Sequence, residues 1–171
     1  MKGEDMVAEL MRIAAVTAPK SMGLDFIEVK ICTPDEMALI ANEMLALGKE
    51  KGTQNWDRDA KGIEKAGGLV LIGLLPHKGV GLNCGACGFA TCAEFNNASH
   101  SGEFSGPNCM LRLMDLGIAL GSAAKTAQMH NVDNRIMYRA GAAARRLGFM
   151  KSNVIMGIPL SVSTKNIFFD R

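Results

Sequence analysis

Four cysteines stand within 26 residues as Cys84-x2-Cys87-x4-Cys92-x16-Cys109, and a fifth, Cys32, lies alone far upstream. Two thiolates separated by two residues can reach one metal centre from a tight turn. Gly85 and Gly88 let backbone amides approach the same centre. The third thiol sits near the expected start of a helix beginning around Ala90, and the fourth directly before another helix. Helix N-termini present N–H groups and a positive dipole end, which suits a negatively charged cluster held by four thiolates. Four cysteinyl sulfurs supply one ligand per iron of a [4Fe–4S] cubane, with Cys84, Cys87, Cys92 and Cys109 as metal ligands. Structural zinc prefers two separated close pairs, and a gap of four followed by sixteen is less usual for it. Disulfides or inert thiols are poor readings of four cysteines clustered among glycines. Cys32, on an apolar stretch, reads as a small buried hydrophobe.

Placing those thiols falls to the elements on either side. Residues 4–18 carry Met6, Val7, Leu10, Met11 and Ala14 at helical spacing, and Pro19 stops them. Residues 26–32 read as a strand. Thr33, Pro34, Asp35 and Glu36 make a helix start, with the helix running to about Leu47 and Gly48 as its cap. A short helix follows from about Asp57 to Lys65. The continuous apolar run 68–75 reads as a strand buried on both faces. Residues 77–107 are rich in Gly, Cys, Asn and Ser, the composition of a segment folded around something other than its own side chains. A long helix is expected over 109–129, then a second over 134–147 with Asp133 as its cap. Two closing strands, 152–163 and 166–169, would flank a turn at Thr164-Lys165. The sum is an α/β (α+β) layered sandwich, one domain over 1–171 with a cluster-binding segment at 77–109.

The chain has 171 residues, 48% hydrophobic and 21% charged, which is the balance of an ordinary globular domain. A formal net charge of +2 advertises neither nucleic acid nor an anionic membrane surface. One Trp and one Tyr leave little for base stacking. No apolar run is long enough to span a bilayer, and no export signal is evident, so a cytoplasmic protein is expected. Neither GxGxxG nor GxxxxGK[ST] occurs, and there is no HExxH or Ser–His–Asp signature. Trp56-Asp57-Arg58-Asp59 reads as a helix start with local ion pairs. His77, His100 and His130 share no ligand spacing and read as surface or hydrogen-bonding histidines. The methionines on helical faces read as core filler.

The block Cys84-Gly-Ala-Cys87-Gly-Phe-Ala-Thr-Cys92-Ala, with Cys109 behind it, resembles the four-iron motif of Rnf-complex ferredoxin subunits and corrinoid iron–sulfur proteins. More broadly, the chain resembles a prokaryotic family of ferredoxin-domain-containing proteins. That likeness is carried by Arg58-Asp59-Ala60, the cysteine block, Gly106-Pro107-Asn108-Cys109, Asp133 to Tyr138, Gly157 to Ser161 and Lys165 to Asp170. It implies a bound [4Fe–4S] cluster and no particular reaction. A weaker likeness is to the nitroreductase fold, carried by Ala18-Pro19, the strand after it, Asp115-Leu-Gly-Ile-Ala and Gly157-Ile-Pro-Leu. It implies an α/β sandwich, a homodimer and FMN. The basic residues that grip flavin at the beginning of that fold are missing, which leaves Lys20 and Ser21 as candidates for its phosphate.

Three readings of function follow. The first is an electron carrier whose cluster exchanges single electrons with a redox partner protein. The second is an oxidoreductase in which the cluster wires a flavin or a substrate pocket. The third is a structural or sensing metal site.

Overall fold

A computed structural model describes residues 2–169; Asp170, quoted above for the family resemblance, lies outside them. The chain opens with helix α1 (Gly3–Thr17), strand β1 (Ile27–Ile31), helices α2 (Pro34–Lys51) and α3 (Trp56–Lys65) and strand β2 (Gly68–Leu74). The cysteine segment holds helix α4 (Cys92–Asn97) and a two-stranded ribbon, β3 (His100–Ser101) with β4 (Ser105–Gly106). Helix α5 (Met110–Met129), strand β5 (Asp133–Asn134), helix α6 (Tyr138–Arg146) and strand β6 (Val154–Ser161) complete it. The main sheet runs β1-β2-β6-β5, every pair antiparallel.

The pleat of β2 explains its uninterrupted apolar sequence. Successive side chains point to opposite faces. Leu69 and Leu71 enter a core with Met37, Ile40, Met44, Trp56 and Ile63 from α2 and α3. Val70, Ile72 and Leu74 enter a second core with Val7, Met11, Leu116 and Ala123 from α1 and α5. Helices therefore cover both faces of the sheet, and the layered α/β expectation holds.

Helix α2 begins as its sequence dictates. Thr33 Oγ1 accepts the N–H of Glu36 at 3.3 Å, and Glu36 Oε2 accepts the N–H of Thr33 at 2.9 Å, a reciprocal cap. Its end differs from the expected one, because the helix passes through Gly48 to Lys51 and Gly52 caps it at φ 62°. Gly48 serves another purpose: a Cβ there would stand 2.6 Å from Trp56 Cβ, so its missing side chain lets α3 close on α2.

Two further expectations are corrected. The helix predicted from Asn134 starts only at Tyr138, with Met137 rather than Asp133 at its N-cap. Asp133 and Asn134 instead pair with Ser161 and Leu160, and Met137 exchanges hydrogen bonds of 2.7 and 3.0 Å with Gly157. An open sheet edge satisfies these backbone groups where they fall. Residues 166–169 form no strand. Asn166 Oδ1 accepts the Phe168 N–H at 2.9 Å in an Asx-type turn, and Phe168 is buried in the core under α2 and α3.

Candidate metal centre

Between β2 and α5 the chain turns repeatedly around its cysteines. Gly85 (φ +71°) and Gly88 (φ +89°) adopt the left-handed region that glycine enters freely. The Gly88 N–H donates to the Gly85 carbonyl at 2.9 Å, closing a turn that carries Cys87 at its tip. Asn83 Oδ1 accepts the Cys92 N–H at 2.8 Å, which ties the start of α4 to the same turn. Thr91 caps α4 by accepting the Glu94 N–H at 3.2 Å. Cys109 returns as the N-cap of α5, after a cis Gly106–Pro107 peptide.

This folding brings Cys84, Cys87, Cys92 and Cys109 onto the walls of one cavity, together with Gly85, Phe89, Phe95 and the first residues of α5. The space in it free for a water-sized body is about 10 Å³, and its mouth is open to solvent. Cys84 is exposed, Cys87 and Cys92 are partly buried and Cys109 is buried. Gly88 closes the turn, while Gly85 is part of the lining. Among the described residues, no three His, Cys, Asp or Glu side chains converge on a single-ion position. No charged side chain occurs from Gly79 to Ala93. Four soft sulfur donors around an apolar, uncharged hollow fit an iron–sulfur cluster. Cys32 takes no part: it lies in the α2–α3 core, and burial pushes its thiol up to about 12.

His77, expected as a surface or hydrogen-bonding histidine, is a hydrogen-bonding one beside the cavity, with a partner that the sequence did not show. His77 Nε2 accepts the Cys109 N–H at 3.0 Å, so its proton sits on Nδ1, which donates to the Leu75 carbonyl at 2.9 Å. The ring is half-buried, with Phe26 edge-on at 6.0 Å and Phe95 stacked at 6.3 Å. Burial holds its pKa below the ordinary histidine value, with the Arg112 guanidinium acting in the same direction. A lone histidine after a strand carried no signal of a partner 32 positions away. His100 and His130 are exposed.

Behind the cavity, α5 carries a buried pair that the sequence did not announce. Arg112 Nη1 donates to Asp115 Oδ2 at 3.0 Å and to the carbonyls of Ser21 (2.9 Å) and Leu24 (3.2 Å). Its guanidinium lies 4.7 Å from the centre of the Phe26 ring. The Ser21 N–H and hydroxyl both donate to Asp115 Oδ1 at 2.8 Å. Lys20 Nζ donates to the Ala15 carbonyl at 3.0 Å and to that of Val16 at the end of α1. Lys20 and Ser21 are thus committed within the fold, and they do not fit a flavin phosphate.

The charged cluster at 56–59 reaches beyond its own helix. Asp59 is 3% exposed and binds Arg58 at 2.7 Å, but also Arg139 at 2.7 Å, with Arg135 at 3.9 Å. Arg135 in turn donates to the Phe168 carbonyl at 3.0 Å. Two segments quoted for the family resemblance therefore meet at the buried Asp59 carboxylate, and Arg135 links a third, at Phe168, to them.

Comparison with known proteins agrees with this geometry. Residues 105–171 match the family described as "Uncharacterized protein containing a ferredoxin domain", and residues 81–110 match the family "Putative Fe-S cluster". An uncharacterized protein of Archaeoglobus fulgidus is 46% identical over 171 residues, covering 99% of this chain and 92% of its own. Among solved structures, a nitroreductase with bound FMN from Desulfitobacterium hafniense superposes with a TM-score of 0.62 at 15% identity. That match covers 96% of this chain and 81% of the other. Nitroreductase A from Vibrio parahaemolyticus gives 0.57 at 11% identity over 97% of this chain, which spans only 60% of that protein's length. At such identities the likeness is one of fold.

Proposed function

Because this chain belongs to the family of uncharacterized proteins containing a ferredoxin domain, and is an iron–sulfur protein, we propose that it carries one [4Fe–4S] cluster and passes single electrons between partner proteins. The observation that carries this reading is the one cavity walled by Cys84, Cys87, Cys92 and Cys109, sulfurs drawn from a loop and from the cap of a distant helix. When bound, the cluster supplies a one-electron couple: an electron arrives from a reduced partner and leaves to an oxidised one, with no bond made or broken. The four thiolates hold it, and Gly85 and Gly88 allow the backbone to pass close. Segment 77–109 is the cluster-binding part of a single domain over 1–171. The cysteine spacing, a gap of four followed by one of sixteen, favours a cluster over a structural zinc, which prefers two separated close pairs.

The same reading includes a homodimer in a reducing cytoplasm, where free thiols persist. Exposed Ile13 and Val16 on α1, with Leu113 and Ile118 on the neighbouring α5, supply an apolar surface for it. Among the described residues, no helix is long and apolar enough to cross a membrane. The flavin-wired oxidoreductase lacks support from Lys20 and Ser21, whose polar groups are engaged internally.

Anaerobic purification followed by iron, acid-labile sulfide, zinc and flavin analysis tests the proposal. About four irons and about four sulfides per chain, with a visible band that bleaches on dithionite reduction, is the expected result. Cys109→Ser should lower the iron content. One zinc without sulfide would overturn the proposal, and bound flavin in the same sample would move it to the oxidoreductase.

A further inference from the structure

Cys109 is the one thiol of the four that does not sit on the 84–92 loop, and sixteen residues separate it from Cys92. Its distance from the other three would be loosely set by the chain alone, which crosses the β3–β4 ribbon on the way. His77 supplies a direct tie. It stands just past the end of β2, a strand buried at every position but its first, and its Nε2 accepts the Cys109 backbone N–H at 3.0 Å. The ring is also tied elsewhere: Nδ1–H is held by the Leu75 carbonyl at 2.9 Å, the Phe26 ring meets it edge-on and the Phe95 ring stacks on it.

The bond has a second effect. An N-cap N–H lies outside the helix's own hydrogen bonding, and here it belongs to a residue that lines the cavity. Such a donor would otherwise be available to a sulfur of the cluster. Hydrogen bonds to cluster sulfurs stabilise the more negative, reduced state and raise the potential. A histidine acceptor takes this donor out of that set.

We propose that His77 is a positioning residue for the cluster: it fixes the Cys109 backbone against the end of β2 and withholds the Cys109 amide from the cluster sulfurs. The proposal rests on the cluster reading above and assigns a role to a residue outside the four ligands. Residues that orient metal ligands from behind are typically worth about 10–100-fold in metal retention when lost.

The experiment compares anaerobically purified wild type with His77→Leu, which fills the space but cannot accept a hydrogen bond, and His77→Gln, whose amide oxygen can. Iron release to a ferrous chelator, midpoint potential and the electron paramagnetic resonance of the reduced protein are read on each. The leucine variant is expected to release iron roughly tenfold faster or more, with an upward shift in potential and an altered resonance. The glutamine variant should recover most of both. Should the leucine variant not fold by circular dichroism, His77→Ala is read in its place. A non-accepting variant with wild-type release and potential would overturn the proposal, as would equal impairment of both variants. Failure of the underlying reading looks different: wild type would lack four irons, or Cys109→Ser would keep them.

Discussion

A Cβ built on Gly141 of α6 would stand 1.7 Å from the carbonyl oxygen of Ile155 in β6. Helix and strand backbones meet there with no room for a methyl group, and the neighbouring Ala140 and Ala142 to Ala144 keep the whole helix close to the sheet. Gly141→Ala must push α6 off β6. We expect it to destabilise by about 3 kcal/mol or more, at the upper end of overpacking costs. Gly117 on α5 has nothing within 4 Å of the same position. Gly117→Ala should stabilise by about 0.5–1 kcal/mol, since only helix propensity changes. Chemical denaturation of both variants checks the pair, and equal effects would contradict it.

Arg112 and Asp115 are 2% and 3% exposed. Removing one charge leaves the other buried without its counterpart, a loss of about 3–5 kcal/mol. Asp115→Ala should cost that much, and it also frees the Ser21 N–H and hydroxyl from their acceptor. The double replacement Arg112→Met with Asp115→Leu should cost much less than the single one, because no charge then remains inside. Melting of the two variants decides it; a double variant worse than Asp115→Ala would refute the argument.

Cys32 gives the protein an alkaline limit. Burial, with Glu36 adding to it and Lys30 opposing, pushes the thiol from 9.0 up to about 12. The unfolded chain gives up this proton first, so the stabilising contribution is full below about pH 9 and declines as pH rises towards 12. The decline from this one group is at most about 1.4 kcal/mol per pH unit. Stability measured between pH 8 and 11 in wild type and in Cys32→Ala isolates it, and the variant should show the shallower loss.

Cluster removal should leave the sandwich standing. Of residues 77–108, only the partly buried Phe104 joins either core. Anaerobic chelation is therefore expected to abolish the visible band while far-ultraviolet circular dichroism changes little. Alkylation of the stripped protein should label the exposed Cys84 rapidly and spare Cys32 until the protein is unfolded. Collapse of the helical signal on chelation would show that the core depends on the cluster.

That Cys84, Cys87, Cys92 and Cys109 would gather at one place was legible because thiols carry their chemistry in their spacing, and four of them among glycines have few other uses. The start of α2 was equally plain, since Thr33, Pro34 and Glu36 act on neighbours within one turn. What stayed hidden depends on partners far along the chain. Gly48 looked like a cap because a glycine ending a helix and one admitting Trp56 are written with the same letter. Residues 133–137 looked helical because nothing local says that β6 lies open beside them. His77 and Asp115 looked ordinary for the same reason, their partners being Cys109 and Ser21.

The two faces of β2 belong to different cores, Leu69 and Leu71 to one and Val70, Ile72 and Leu74 to the other. Neither helical layer can come away without uncovering a strand on which the other layer depends. Partial opening would thus expose apolar surface on both sides at once, leaving little room for a half-unfolded species. The slowest-exchanging amides of α2 and of α5 should therefore report the same opening free energy, that of the whole molecule.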